Sequence, residues 1–221
     1  MIFKTTSLLI ILATAALLAS PARAQVIDWS GVNAFTGDSD IDATGFIDGL
    51  RGYQTSSSAQ IEVNGVEFNA NTGSYADGTF SLGTTAGGTD GYVAVGSTNY
   101  QELLYGCAAT FSTATVTISG LTSGDVYAVQ VFNSSQYDQT TYADTVNPLG
   151  DNVSTNYGWV TGTFTAGGDT ASFTYTSDGR AGTIDAIDLR SVPEASTWAM
   201  MLLGVGLLGG IQYFRSRSRA V

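Results

Sequence analysis

TATVTISGLTSGDVYAVQVF, residues Thr113–Phe132, shows the pattern that recurs along most of the chain. In Thr113–Ser119 a hydroxyl residue alternates with an apolar one. Successive side chains of a strand point to opposite faces, so this alternation predicts a strand with one buried and one wet face. Asp125–Phe132 is apolar on both faces, which is typical of a central strand.

Short alternating runs of the same kind continue through residues 25–191, separated by glycine or Asn/Asp turns. The clearest is Ile61–Phe68, because its Asn64-Gly65 is a residue pair favoured in two-residue type I′ hairpins. Further strands are predicted over Trp159–Ala166, Ala171–Thr176 and Thr183–Arg190, and a short helical turn over Tyr100–Tyr105. Many short strands joined by tight turns predict an all-β sandwich or barrel.

The N-terminal segment has the features of a secretory signal peptide. Met1–Ala24 contains a lysine near its start and an apolar run, Ser7–Ala19, that is too short to span a membrane well. Ala22-Arg23-Ala24 forms an A-x-A cleavage site, which places the mature start at Gln25. We therefore expect the Sec translocon and signal peptidase as partners, with an uncleaved N-terminal anchor as the alternative.

The C-terminal segment, residues 192–221, has three parts in order. A motif at residues 192–197 begins Val192, Pro193, Glu194, Ala195. An apolar stretch at residues 198–214 follows, and a basic tail at residues 215–221 contains Arg215, Arg217 and Arg219. Roughly 17 residues at 1.5 Å each give a helix of about 26 Å, near the short limit for a bilayer span. The arginines favour a cytoplasmic C-terminus.

This tripartite segment resembles the PEP-CTERM sorting signal, which exosortases of Gram-negative bacteria recognise. The usual Pro-Glu-Pro is here Pro193-Glu194-Ala195. The resemblance implies export, an intermediate anchored in the inner membrane, and release by exosortase to the cell surface or extracellular matrix. A plain C-terminal anchor is the alternative. The chain then divides into a signal peptide (1–24), an ectodomain (25–191) and a sorting signal (192–221).

The predicted ectodomain is strongly acidic. It has 18 acidic residues and 3 arginines, which leaves 15 net negative charges. Such a surface repels nucleic acid and anionic lipid, so neither is expected as a partner of this domain. Its length fits one domain with a substantial core.

The amino-acid composition also limits the catalytic, metal-binding and disulfide chemistry that this chain can have. The chain has no histidine, which excludes a Ser-His-Asp triad and His-ligated zinc. Cys107 is its single cysteine, so no internal disulfide forms. A carboxylate pair for glycoside hydrolysis stays open, but the ectodomain has only Glu62, Glu67 and Glu102 as glutamates. We therefore expect a non-catalytic protein.

Two further pieces carry resemblances. Gly120–Phe132 resembles a strand of PEP-CTERM-associated jelly-roll domains, in which a YxxLL turn like Tyr100–Leu104 comes earlier and a strand like Ile184–Arg190 closes the domain. That closing strand is also similar to the last strand of carbohydrate-binding sandwiches with galactose-binding-like topology. The resemblance implies a jelly-roll sandwich and, at Asp185, a ligand of a structural calcium ion. A turn aspartate that accepts backbone N–H groups is the alternative.

Asp38, Asp40 and Asp42 are spaced like the opening of a calcium loop. An EF-hand requires glycine and glutamate further on, where this chain has Ala43 and Gly49, so the EF-hand is excluded. A non-EF calcium site and a solvated acidic turn both remain open.

Aromatic residues in the second half of the chain are candidates for binding sugars. Tyr137, Tyr142 and Tyr157 lie in or beside the long region 133–157, and Trp159 shares a strand face with threonines. Loops of a sandwich often carry recognition residues, so these side chains are predicted to contact extracellular polysaccharide. Filling of the core is the alternative for each of them.

Overall fold

The computed structural model describes residues 25–53, 60–71, 76–83, 86–89, 93–135, 139–145, 152–155, 157–178 and 181–193. The predicted signal peptide with Ala22 and Ala24, the residues from Glu194 and Ala195 onward, and Tyr137 lie outside the described residues. The predicted membrane helix and basic tail are therefore outside them too. Within the described residues, no helix is both long enough and apolar enough to cross a membrane.

The described chain is built almost wholly from strands. They are β1 (Asp28–Trp29), β2 (Phe46–Tyr53), β3 (Ile61–Val63), β4 (Val66–Asn71), β5 (Phe80–Ser81), β6 (Ala86–Thr89), β7 (Gly106–Thr110), β8 (Thr113–Ser119), β9 (Val126–Asn133), β10 (Thr140–Asp144), β11 (Val153–Thr155), β12 (Gly158–Thr165), β13 (Thr170–Ser177), β14 (Gly182–Ile184) and β15 (Ala186–Ser191). One helix, α1 (Thr98–Leu103), and a 3₁₀ turn at Asp38–Asp40 complete the described elements.

The strands form two large sheets that pack as a sandwich. One sheet has the order β1-β12-β9-β15-β2-β4-β3 and the other β11-β10-β13-β8-β5, while β14-β7-β6 form a smaller third sheet. The core between the large sheets contains Val129 and Ile187 from the first sheet and Val116 and Phe173 from the second. The predicted all-β sandwich is therefore confirmed.

A second core covers the other face of the seven-stranded sheet. Tyr100 and Leu103 of α1 and Phe68 of β4 pack there against Phe132 and Ala186. Strands β9 and β15 are thus buried on both faces, which explains why residues 126–132 lack polar alternation. The prediction of a central strand at this position is confirmed.

The β3–β4 hairpin turns as its sequence predicts. Asn64 and Gly65 have φ angles of 51° and 76°, the left-handed conformations that a type I′ turn requires. Helix α1 begins directly after its N-cap Ser97, whose hydroxyl accepts the Tyr100 N–H at 3.2 Å. The expected helical turn at residues 100–105 is present, although it starts two residues earlier.

The predicted closing strand over Thr183–Arg190 is divided at Asp185. Residues before the break, in β14, pair with β7, whereas β15 pairs with β2 and β9. The Asp185 N–H donates to the Phe132 carbonyl at 2.9 Å, and its own carbonyl accepts the Gly52 N–H at 2.5 Å. The last strand is therefore two strands that belong to different sheets.

Candidate functional site

The outer surface of the five-stranded sheet is covered by hydroxyl side chains, and we call it the hydroxyl face. On β8 and β13 every outward residue is threonine or serine, while the inward residues fill the core. The hydroxyl face consists of Ser81, Thr113, Thr115, Thr117, Ser119, Thr141, Thr145, Ser154, Thr170, Ser172, Thr174 and Thr176. Ala143 lies among them on β10.

Strand register places these hydroxyls opposite one another. Thr113 lies opposite Thr176, and their Oγ1 atoms are 3.0 Å apart. Thr115 faces Thr174 in the next cross-strand pair. Neighbouring strands lie about 4.8 Å apart, and outward residues of one strand repeat about every 6.8 Å. The surface is thus a regular array of groups that each donate and accept hydrogen bonds.

Two shallow grooves cross the hydroxyl face. One, of about 530 Å³, is lined by residues that include Thr113, Thr174 and Asp178. The other, of about 360 Å³, is lined by residues that include Thr115 and Thr117. Thr145 lines both grooves, so they are neighbours on the sheet. Gln25, the predicted mature start, also lines the smaller groove.

The sequence indicated that these threonines face water, but it gave no sign that they form a binding surface. The sequence does contain two rows of alternating hydroxyl residues, Thr113–Ser119 and Thr170–Ser177. What was missing was the pairing of β8 with β13, which places the two hydroxyl rows side by side. That pairing depends on contacts between residues far apart in sequence.

Asp185 lies in a buried polar network at one end of the sandwich. Its side chain is fully buried, and Oδ2 accepts the Ser134 N–H. The Ser134 hydroxyl donates to the Leu104 carbonyl at 2.8 Å. Nearby, Thr183 Oγ1 donates to Asn133 Oδ1 at 3.0 Å. The inward carboxylate expected from the sequence is confirmed, and a backbone donor faces it.

The contact described for the Asp185 carboxylate is with a backbone donor. Calcium takes six to eight oxygen ligands, and the Ser134 N–H uses one acceptor position of this carboxylate. Among the described residues, no group of three Asp, Glu, Cys or His side chains is placed to hold a metal ion. The calcium ligand at Asp185 stays a prediction from resemblance, and the described contacts match the turn-aspartate alternative.

Asp38, Asp40 and Asp42 have separate sets of partners. Asp40 is buried and accepts hydrogen bonds from Thr36, Gly37 and Tyr100, the last at 2.6 Å. Burial acts to raise the pKa of Asp40, but these hydrogen bonds outweigh it and hold the pKa below its usual range.

The two flanking aspartates, Asp38 and Asp42, accept hydrogen bonds from other residues. Asp38 Oδ1 accepts the Ser97 N–H at 2.6 Å, and Asp42 accepts the Thr44 N–H and pairs with Arg190 at 2.6 Å. The hydrogen bond from Thr44, followed by the charge of Arg190, lowers the pKa of Asp42. The three carboxylates therefore stabilise the loop and its neighbours and do not converge on a shared cation.

The predicted sugar-binding aromatics do not form one surface. Tyr142 is fully buried in the main core beside Trp29 and Phe173, with its hydroxyl donating to the Thr183 carbonyl at 3.0 Å. It has no exposed ring face, because β10 turns it inward, and this corrects its placement in a binding loop. It therefore fills the core, the alternative foreseen for it.

The other two described aromatics lie across the seven-stranded sheet. Tyr157 is 38% exposed and packs edge-on against Phe35 at 5.0 Å. Trp159 lies on the partly exposed face of β12, as predicted, and its ring packs against Phe132 at 6.4 Å. Both belong to the side that carries the second core, so they are separated from the hydroxyl face.

The described part of the chain is an all-β sandwich followed by the start of a short C-terminal motif. Val192 and Pro193 are the last described residues, and the Val192 N–H donates to the Val126 carbonyl at 2.9 Å. Residues 191–219 match the PEP-CTERM protein-sorting motif. The chain thus carries this motif, which implies export and exosortase-type sorting to the surface or membrane of a bacterial cell.

Outside this motif, the similarity of the chain to known proteins is weak. No curated protein matches the chain. Among solved structures, the ANXUR2 extracellular domain from Arabidopsis thaliana is similar over 66% of this chain, with 14% identity and a TM-score of 0.45. The ANX1 ectodomain from the same plant is similar over 67%, with the same identity and TM-score. The matched part spans 41% and 42% of those two chains.

Proposed function

We propose that this chain is an exported, non-catalytic protein of the cell envelope or exopolysaccharide matrix that binds polysaccharide. The match of residues 191–219 to the PEP-CTERM motif carries the proposal, because it links the protein to exosortase sorting. The resemblance to jelly-roll sandwiches with galactose-binding-like topology supports polysaccharide as the ligand. The hydroxyl face adds a surface whose chemistry suits that ligand.

In the proposed route, the predicted signal peptide and the predicted membrane helix act in sequence. The Sec translocon and signal peptidase would deliver the chain with Gln25 at its start, and the helix at residues 198–214 would hold it in the inner membrane. Exosortase would then release it to the surface of a Gram-negative cell. The positions of the arginines after this helix support that orientation.

The arrangement of glutamates supports a non-catalytic role. Glu62 and Glu67 lie opposite each other on the exposed side of the β3–β4 hairpin. Glu102 Oε1 lies 3.6 Å from Arg51, as part of an ion pair. These positions give two surface carboxylates and one paired carboxylate, and none of the three lines either described groove.

The alternative is a structural or adhesive surface protein, held by its C-terminal helix and without a defined ligand. The observation that favours it is the dispersal of Tyr142, Tyr157 and Trp159 over two sides of the seven-stranded sheet. Such a protein would contribute to matrix cohesion through its acidic, hydroxylated surface alone.

One preparation tests sorting and binding together. The full chain would be isolated from a Gram-negative host with and without its exosortase, and its intact mass measured. We expect a C-terminus within residues 192–197 only when exosortase is present. An intact Val221 in both hosts would favour the plain anchor.

The same preparations would then be mixed with the host's polysaccharide, with and without calcium. We expect retention on the polysaccharide. Loss of biofilm cohesion on deletion, combined with no retention, would favour the structural alternative.

A further inference from the structure

We propose that the hydroxyl face is a docking surface for a neutral polysaccharide, bound through its sugar hydroxyls across both grooves. This rests on the proposed function and deepens it, because it names the surface and the charge class of the ligand. It also moves the binding site from the loop aromatics to the outer face of the five-stranded sheet.

The distribution of charge first sets this surface apart. The segment 25–191 has 15 net negative charges, yet no outward-facing residue within the described strands β5, β8, β10, β11 and β13 is charged. The β3–β4 hairpin shows the contrast, since its exposed cross-strand pair is Glu62 and Glu67. The matching pair on the hydroxyl face is Thr115 and Thr174. Threonine is common in strands, but an uncharged array in an acidic domain is also the part of the surface best suited to an uncharged ligand.

The hydroxyls are also accessible from solvent. Thr115 is exposed and Thr117 is partly exposed, so their hydroxyls can exchange water for a ligand. Both line the smaller groove, where Gln25 Nε2 is without a partner among the described residues. A threonine hydroxyl and an amide nitrogen offer both acceptors and donors, which match the alternating needs of sugar hydroxyls. The smaller groove therefore presents accessible donors and acceptors to a ligand.

Carboxylates that line the grooves select the charge of the ligand. Asp169 lines the smaller groove, and Asp144 and Asp178 line the larger one. A carboxylate accepts hydrogen bonds from neutral sugar hydroxyls, whereas it repels a uronic acid or a sulfated sugar. The net charge of the domain acts in the same direction over a longer range. The ligand that fits is therefore an uncharged glycan.

The length of the surface favours a polymer over a single sugar. The two grooves meet at Thr145, so a chain that fills both contacts several strands. Each hydrogen bond made in exchange for water contributes little. Many such bonds along one polymer add through high effective concentration, and binding should therefore increase with the length of the glycan.

The test uses the full chain and paired threonine variants. The hydroxyl variant Thr115→Val with Thr117→Val removes two accessible hydroxyls and keeps β-branched side chains, so the strand should persist. The control Thr161→Val with Thr163→Val makes the same change on β12, in the other large sheet. Unfolding temperatures of both variants are compared with that of the wild type. If the hydroxyl variant does not fold, Thr145→Ala at the shared rim replaces it.

Retention is measured on cellulose and on cross-linked dextran, which are neutral, and on alginate, which is anionic. We expect the wild type and the control to bind a neutral glucan, and the hydroxyl variant to lose about tenfold in affinity. Longer soluble fragments of the bound glucan should compete better than shorter ones.

Three outcomes would overturn the proposal. They differ in whether they also contradict the proposed function of polysaccharide binding. Equal binding by wild type, control and hydroxyl variant would place the glycan elsewhere and leave polysaccharide binding intact. Binding to alginate alone would contradict the neutral class. Binding to none of the three polysaccharides would count against the hydroxyl face and against the proposed function together.

Discussion

Asp188 of β15 lies directly opposite Gln130 of β9, and both side chains are buried. Gln130 Nε2 donates to the Asp40 carbonyl at 2.7 Å. Gln130 Oε1 has no hydrogen-bond partner in the described part of the chain, and Asp188 Oδ1 is ion-paired with Arg190 Nε. The pKa of Asp188 is raised to about 7, mainly by burial. The charge of Arg190, whose Nε lies 3.4 Å away, lowers this pKa, and the charge of Asp42 raises it. A protonated Asp188 carries an O–H donor on the same face of the sheet as Gln130, whose Oε1 is buried without a partner among the described residues.

The first prediction is that stability falls as the pH rises from about 4 to about 7. In this range folded Asp188 holds a proton that the unfolded chain has released, so the native state binds more protons. The free energy of unfolding should fall by up to about 1.4 kcal/mol per pH unit from this group. Asp188→Asn should remove the slope and be more stable than the wild type at about pH 8. Urea unfolding across this pH range measures both effects.

An exposed aspartate on the same large sheet provides the control. Asp28→Asn on β1 should leave the slope of the wild type unchanged. If Asp188→Asn keeps that slope, or is less stable than the wild type at about pH 8, Asp188 is not the group responsible.

The second prediction concerns the hydrogen bond that joins α1 to the 3₁₀ turn. The hydroxyl of buried Tyr100 donates to Asp40 Oδ2 at 2.6 Å across 60 residues of sequence. Tyr100→Phe removes the donor and leaves a buried carboxylate with fewer partners. We expect the free energy of unfolding to fall by about 1.5–3 kcal/mol near neutral pH. Chemical denaturation at fixed temperature measures the change.

The pH dependence distinguishes this hydrogen bond from simple packing. The pKa of Asp40 lies below its usual range, so its contribution is present above the ordinary carboxyl pKa and is lost as the pH falls through the lowered value. The deficit of Tyr100→Phe should therefore shrink in acid. Tyr105→Phe, at an exposed position after the same helix, should change stability little. A deficit that is equal at neutral and acid pH would point to packing.

Local sequence patterns predicted the parts of the fold that depend on neighbouring residues. The alternation in Thr113–Ser119 predicts β8 because a half-buried strand needs one apolar residue in two. Asn64-Gly65 predicts its hairpin because few residue pairs adopt positive φ at low cost. The apolar run at residues 126–132 predicts a strand buried on both faces, and α1 and the hairpin provide the second cover.

Features that depend on contacts between residues far apart in the chain could not be predicted from the sequence. Nothing local to Tyr142 shows that β10 joins β13 and turns this ring into the core. The break at Asp185 arises because the closing residues serve two sheets, which depends on the positions of β7 and β9. The hydroxyl face has the same origin, since the outward direction of Thr115 is local but its pairing with Thr174 is not.

The third prediction tests whether Asp185 serves a cation or a hydrogen bond. Its buried Oδ2 accepts the Ser134 N–H, and Asp185→Ala would leave that donor without its acceptor. We expect the free energy of unfolding to fall by about 1–3 kcal/mol for Asp185→Ala. Asp185→Asn can retain an oxygen acceptor, so its loss should be smaller.

Calcium provides the deciding comparison for the same variants. Because a backbone donor occupies the Asp185 carboxylate, excess calcium and EDTA should give the wild type the same unfolding temperature. A calcium ligand predicts the reverse, since an ion that binds only the folded state raises the unfolding temperature. An increase with calcium in the wild type that disappears in Asp185→Asn would therefore establish the cation and refute the assignment of Asp185 as a hydrogen-bonded turn residue.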